Sequence, residues 1–196
     1  TSLRGDVDVI NLLRIDDGVH VTTTADRGPV VRYYKDCQYV NNGTIDGAGR
    51  FRIRLYDKDM DINLGDVRCS VEVRLIDGGM VKSSTLTLAE DTVIGGSLNI
   101  ISEHATYTAT LDTGGHELHV GSLTIGQGGA VRGGNGTIYT ATWTSTVGTW
   151  LPEQSTVVLA DGGTVKLAPG QSFNRLEVAS DDGRTASWTM TATRAQ

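Results

Sequence analysis

The chain has 196 residues, of which 38% are hydrophobic, and carries a formal net charge of −6 with a pI near 5.1. Non-specific nucleic-acid binding relies on a basic surface, so nucleic acid is not expected as a partner. No apolar run approaches the ~18 residues of a membrane helix, so membrane insertion is not expected either.

Gly and Thr each occur 25 times, against three Pro and four Lys. Thr is β-branched and suits half-exposed strand faces, while Gly serves tight turns. The balance predicts an all-β chain with many turns, of a length that suits one domain with a continuous core.

No apolar core region follows Thr1-Ser2-Leu3-Arg4, so the start does not itself read as a signal peptide. A removed leader and a missing initiator Met are both compatible with the small first residue. Arg4-Gly5-Asp6 spells an integrin-type tripeptide, a string that is common by chance. Val7, Val9, Ile10, Leu12, Leu13 and Ile15 form an apolar stretch of mixed periodicity, and Asp16-Asp17-Gly18 signals a turn. Val19 and Val21 then alternate with His20 and Thr22 as in a strand, before a second turn at Asp26-Arg27-Gly28-Pro29. Residues 1–35 are expected to cap the domain formed by 36–196, because open β edges recruit other chains, or to attach it to a partner subunit.

From Val40 onward one phrase recurs: a Gly-rich turn, a short alternating strand, another turn. It reads Gly43-Thr44-Ile45, Gly96-Ser97-Leu98-Asn99-Ile100, Gly121-Ser122-Leu123-Thr124-Ile125, Gly136-Thr137-Ile138 and Gly163-Thr164-Val165. The two Gly-Ser-Leu-x-Ile copies start 25 residues apart, at Gly96 and Gly121. A period of roughly 20 to 50 residues signals stacked units that cannot bury an apolar face alone. Between these phrases, Phe51, Ile53 and Leu55 alternate with Arg50, Arg52 and Arg54, and the phase slips at Tyr56. Met60, Ile62 and Leu64 then alternate with Asp59, Asp61 and Asn63, which implies a corner between two strands of one turn.

The closing order of phrases is Trp143-Thr144-Ser145, Ser155-Thr156-Val157-Val158-Leu159, Gly163-Thr164-Val165-Lys166-Leu167 and Phe173-Asn174-Arg175-Leu176-Glu177-Val178. Over about residues 140 to 180 it resembles a repeat of β-helical virion and microbial cell-surface proteins. Asn42-Gly43-Thr44-Ile45-Asp46-Gly47-Ala48-Gly49 resembles the opening of polygalacturonase-type β-helices, which hydrolyse pectic chains. That family's clustered Asp, Gly-His-Gly and Arg-x-Lys have no counterpart here: His116 follows Gly114-Gly115 but precedes Glu117, and Asp181-Asp182 reads as a turn. Inverting hydrolysis needs two carboxyls about 6.5–9.5 Å apart, and no contiguous segment supplies them. The chain is therefore not expected to be an enzyme.

Asp57, Asp59 and Asp61 are the candidate cation ligands. The spacing departs from an EF-hand, since its sixth and twelfth places hold Ile62 and Arg68. The alternative is a solvated acidic ladder, or one paired with Arg50, Arg52 and Arg54. Tyr139, Trp143 and Trp150 are candidates for an aromatic sugar platform, against the alternative that Trp143 fills the core with Phe173. His20, His104, His116 and His119 offer no helical zinc pair, and no nucleophile elbow, phosphate loop or cofactor motif appears. Cys37 and Cys69, 32 residues apart, match no metal or redox spacing and read as a disulfide between turns or as two buried thiols. Asn42-Gly43-Thr44 and Asn135-Gly136-Thr137 fit the glycosylation acceptor pattern and also read as plain turns.

These readings predict a right-handed parallel β-helix or related β-solenoid of about six turns, roughly 20 to 25 residues each. An antiparallel β-sandwich or jelly roll is the alternative. The expected function is that of a non-catalytic structural protein of an extracellular assembly, on a virion or cell surface, with identical or neighbouring subunits as partners in a homo-oligomer. Arg outnumbers Lys 13 to 4, which leans toward interfaces. A cell-surface adhesin binding glycans is the second expectation, and a pectinase-like enzyme the third.

Overall fold

The structure, a computed structural model, describes residues 7–9, 11–25, 29–33, 37–56, 58–76, 82–179 and 189–192. Arg4-Gly5-Asp6, Asp57, Asp181-Asp182 and Trp188 lie outside these described residues.

The chain winds as a β-solenoid of about seven turns, one more than its sequence implies. The first turn holds β1 (Val7–Val9), β2 (Leu12–Ile15) and β3 (His20–Thr23), and the second holds β4 (Pro29–Tyr33), β5 (Gln38–Asn41) and β6 (Thr44–Gly47). The third holds β7 (Arg50–Leu55), β8 (Met60–Ile62) and β9 (Asp66–Val67), and the fourth opens with β10 (Ser70–Leu75) and β11 (Ser84–Leu88). From there the last strand of each turn runs on into the first of the next. The series continues as β12 (Thr92–Ser102), β13 (Ala109–Asp112), β14 (Glu117–Ile125), β15 (Gly129–Arg132), β16 (Thr137–Ser145), β17 (Thr149–Leu151) and β18 (Thr156–Leu167). It ends with β19 (Arg175–Ala179) and β20 (Thr189–Ala192).

Three faces result. The first stacks β1, β4, β7, β10, the second halves of β12, β14, β16 and β18, and β20. The second face stacks β2 on β5, and separately β8, β11, β13, β15 and β17. The third stacks β3, β6, β9, the first halves of the long strands, and β19. Every pairing among the described residues is parallel, which rules out the antiparallel sandwich. Turn lengths range from 19 residues, as between Val157 and Leu176, to 27, as between Val71 and Leu98.

Parallel register places like residues on like residues, and the core is built of such columns. On the first face Val31, Ile53, Val73, Ile100 and Ile125 follow one another in register, all at 1% exposure or less. A second column runs Phe51, Val71, Leu98, Leu123, Trp143 and Val165. The Gly-Ser-Leu-x-Ile copies pair residue for residue, Leu98 on Leu123 and Ile100 on Ile125. The wider phrase has two addresses. Gly96, Gly121 and Gly163 open first-face strand segments, whereas Gly43 and Gly136 open third-face ones. The mixed periodicity of residues 7–15 is also explained, because β1 and β2 meet at a corner within that stretch and lie on different faces. The segment 1–35 contributes β1–β4, which pair with the following turns as later strands do.

The corners carry the backbone constraints. At the bend from third to first face, a Cβ on Gly95 would lie 2.6 Å from Arg68 O and 2.8 Å from Arg68 Cα, so the two turns approach too closely for any side chain. At the corner from second to third face, four-residue turns close by hydrogen bonds from His116 N to Thr113 O, Gly136 N to Gly133 O and Ser155 N to Pro152 O. Their second positions are Gly114, Gly134 and Glu153, all left-handed, with φ of 63°, 56° and 48°. Glu153 thus holds a place that glycine fills in the two preceding turns.

Gly95→Ala is expected to lower stability by about 1–3 kcal/mol through backbone overpacking. Glu153→Gly should raise it, by up to about 1 kcal/mol after the entropy of glycine is allowed for. Urea titrations of the two variants check both signs.

Candidate functional site

The aromatic candidates separate. Trp143 and Trp150 are core residues, at 0% and 4% exposure, and they meet edge to face with ring centroids 4.7 Å apart. Phe173 joins them 5.2 Å from Trp143. Trp143 Nε1 donates to Ser145 Oγ (3.1 Å), Ser145 Oγ donates to Gln171 Oε1 (2.7 Å), and Gln171 Nε2 donates to Gly148 O (2.7 Å). This chain satisfies the indole that burial would otherwise penalise. Trp150 Nε1 is buried without a partner. Neither tryptophan presents a ring to a sugar, which corrects that part of the platform.

Tyr139 lies on the outer side of the third face, where it stacks on His119 with centroids 4.1 Å and planes 12° apart. Register places Val93 beyond His119 and Val158 beyond Tyr139. The stack covers one face of each ring with the other ring, so the column is a poor sugar platform.

The acidic candidates lie beside a break in the second face. β5 and β8 belong to different sheets, and between them is a cavity of about 320 Å³. It is lined by Cys37 and Tyr39 from one side and by Met60, Asp61 and Asn63 from the other. Tyr39 spans the break: its Oη donates to Leu64 O (2.8 Å) and its ring stacks on Phe51 at 5.3 Å. Asn41 Nδ2 also donates to Leu64 O (3.0 Å), closing the gap at its far end. Burial pushes the Tyr39 phenol well above its usual range. Asp59 is exposed and its Oδ1 accepts from the backbone N of Thr85 on the next turn (2.7 Å). Among the described residues, Asp61 is the one carboxylate lining the cavity. Among the described residues no three His, Cys, Asp or Glu side chains converge as a metal-binding group.

Arg50, the first arginine of β7, finds a partner outside the Asp57–Asp61 segment. Glu72, 3% exposed, sits on the outer side of β10 with Arg50 Nη1 at 2.9 Å and Arg74 Nε at 3.0 Å. Arg74 Nη1 reaches on to Glu103 Oε1 at 2.7 Å. The two guanidinium groups cover Glu72 and supply the charge that a buried carboxylate requires. Val71-Glu72-Val73-Arg74 shows outward parity in the sequence, but the partnership with Arg50 depends on a 20-residue register that no local pattern reveals.

Other polar groups tie one turn to the next. Thr44 Oγ1 donates to Asp66 Oδ2 (2.9 Å), and Asp66 also takes a two-pronged contact from Arg68. The Arg68 guanidinium holds the Asp66 carboxyl below its usual range. The histidines sit beside single carboxylates, His116 near Asp91 and His119 near Glu117. Cys37 and Cys69 are free and buried, and lie at different corners of the solenoid. Burial raises both thiols. Asn42 and Asn135 are exposed, each on the corner that leads into a third-face strand.

No protein-family model, no curated protein and no solved structure matches the chain.

Glu72→Gln is expected to cost about 1.5–3 kcal/mol, the range for hydrogen bonds to charged groups. A double-mutant cycle with Arg74→Ala should recover part of that loss as coupling, and additivity would remove the ion pair from the account. Because a raised thiol pKa means less thiolate at a given pH, the native protein should resist a disulfide-exchange reagent near pH 8. Both thiols should react once the chain is unfolded, as spectrophotometric thiol counting would read.

Proposed function

We propose that this chain is a non-catalytic structural subunit of an extracellular assembly and, within that class, a virion component such as a capsid decoration, neck or fibre protein. The observation that carries the proposal is the first-face ladder, which runs in register from β1 through β18 to β20. A rod hydrogen-bonded from turn to turn along its length resists bending and shear, as a scaffold must. The order of phrases over residues 140 to 180 supports the virion reading within that class.

The mechanism is packing between subunits. Among the described residues β1, β2 and β3 pair on one side only, and in this reading a neighbouring subunit docks against those strand edges. Heterologous contacts at such ends generate rings or filaments, whereas isologous ones close as dimers. Exposed Leu12 (50%) and Val19 (40%) add apolar surface to that turn.

A second reading, a cell-surface adhesin or carbohydrate-binding β-helix, draws support from the outer side of the first face. There the arginines pass into columns of small hydroxyl residues, Ser97 on Ser122 and Thr124 on Thr144.

Light scattering and negative-stain microscopy of the purified protein test the assembly reading. Defined oligomers or ordered arrays are expected, with a larger mass at higher concentration. A monomer at every concentration would overturn homo-assembly and pass priority to glycan binding.

A further inference from the structure

The outer side of the first face carries a charge arrangement that the carboxylates among the described residues do not complete. β7 presents Arg50, Arg52 and Arg54 outward, opposite in parity to the buried Phe51, Ile53 and Leu55. Arg54 pairs in register with Arg74 on the next turn. Adjacent parallel strands lie about 4.8 Å apart, and like charges directly opposite destabilise a sheet.

The described carboxylates nearby are committed elsewhere. Glu72 is held between Arg50 and Arg74, and Glu103 takes the remaining side of Arg74. Arg54 has no ion pair among the described residues, and its Nε is buried without a hydrogen-bond partner. A buried donor left unmade costs stability, and like charges at register-paired positions add to that cost. All this occurs on a chain whose net charge is −6, so general basicity does not explain the column.

We propose that Arg54, with Arg74 beside it, forms a binding site for an oxyanion: a carboxylate, sulfate or phosphate group of a ligand. The planar fork of arginine matches such groups through paired N–H donors, which an ammonium does not reproduce. Glu72 serves as a positioning residue, fixing Arg74 from one side while leaving Arg54 to the ligand. Asn99 and Thr124, which follow Glu72 in register on the same face, offer neutral hydrogen-bonding groups to whatever carries the anion. The inference stands apart from the assembly reading, since it requires no second subunit.

The test is thermal unfolding of the full chain in sodium sulfate or phosphate against sodium chloride at equal ionic strength, with Arg54→Gln and Arg54→Lys. The wild type should melt higher in the oxyanion, saturably. Arg54→Gln should melt no lower than wild type in chloride, because it removes a like-charge contact, and should lose the oxyanion response. Arg54→Lys keeps the charge but not the fork, and should bind about tenfold more weakly. Arg175→Gln, on the exposed pair with Glu177, should leave the response intact. A trigalacturonate titration separates the sources. Tighter, Arg54-dependent binding assigns the anion to an acidic saccharide, and affinity equal to sulfate assigns a free oxyanion. An undiminished oxyanion response in Arg54→Gln, or a lower melting point of that variant in chloride, would overturn the site.

Discussion

Parallel, in-register hydrogen bonding between successive turns is the constraint on which the other features of this molecule depend. It sets each residue about 4.8 Å from its equivalent one turn away and gives both the same orientation. Inside, this turns a modest hydrophobic content into continuous columns, Phe51 to Val165 on the first face and Leu118, Ile138 and Val157 on the third. Outside, it brings like groups together regardless of their charge. The stacked rings of His119 and Tyr139 are one result, and the arginine column at Arg54 is another. Glu72 is the internal answer to that crowding, and its burial under Arg50 and Arg74 follows from being the anion on a cationic strip.

The corners show where the same constraint is hardest to satisfy. Where turns approach most closely, as at Gly95 against Arg68, the chain has room for a hydrogen and no more. Where the turn must reverse in four residues, the second position is left-handed, and Glu153 accepts that conformation at some cost. Between β5 and β8 the second face does not pair at all. There Tyr39 and Asn41 bridge to Leu64 by side chains in place of a backbone ladder. The result is a cavity at the turn where β8 is short and carries the acidic Asp61.

Much of the architecture was legible in the chain itself. The alternation of β7, the phase slip at Tyr56 and the 25-residue recurrence from Gly96 to Gly121 identify stacked strands, because strand periodicity and turn residues are local properties. The aromatic candidates were legible only by type. Trp143 and Tyr139 lie four residues apart in β16, yet one is in the core and the other outside. The strand reaches from one face to the next with a register shift between Thr140 and Thr142, so simple alternation does not carry through.

What the sequence determined by itself is therefore the class of fold, the inward columns and the positions of the turns, all encoded over a few residues. Which turn sits on which, and at what offset, is a matter of pairing across 19 to 27 residues. That register depends on the length and path of each intervening corner, which no short window contains. The tertiary structure alone decided that Glu72 would lie under Arg50 and Arg74, that Cys37 and Cys69 would sit at separate corners, and that Arg54 would pair in register with Arg74.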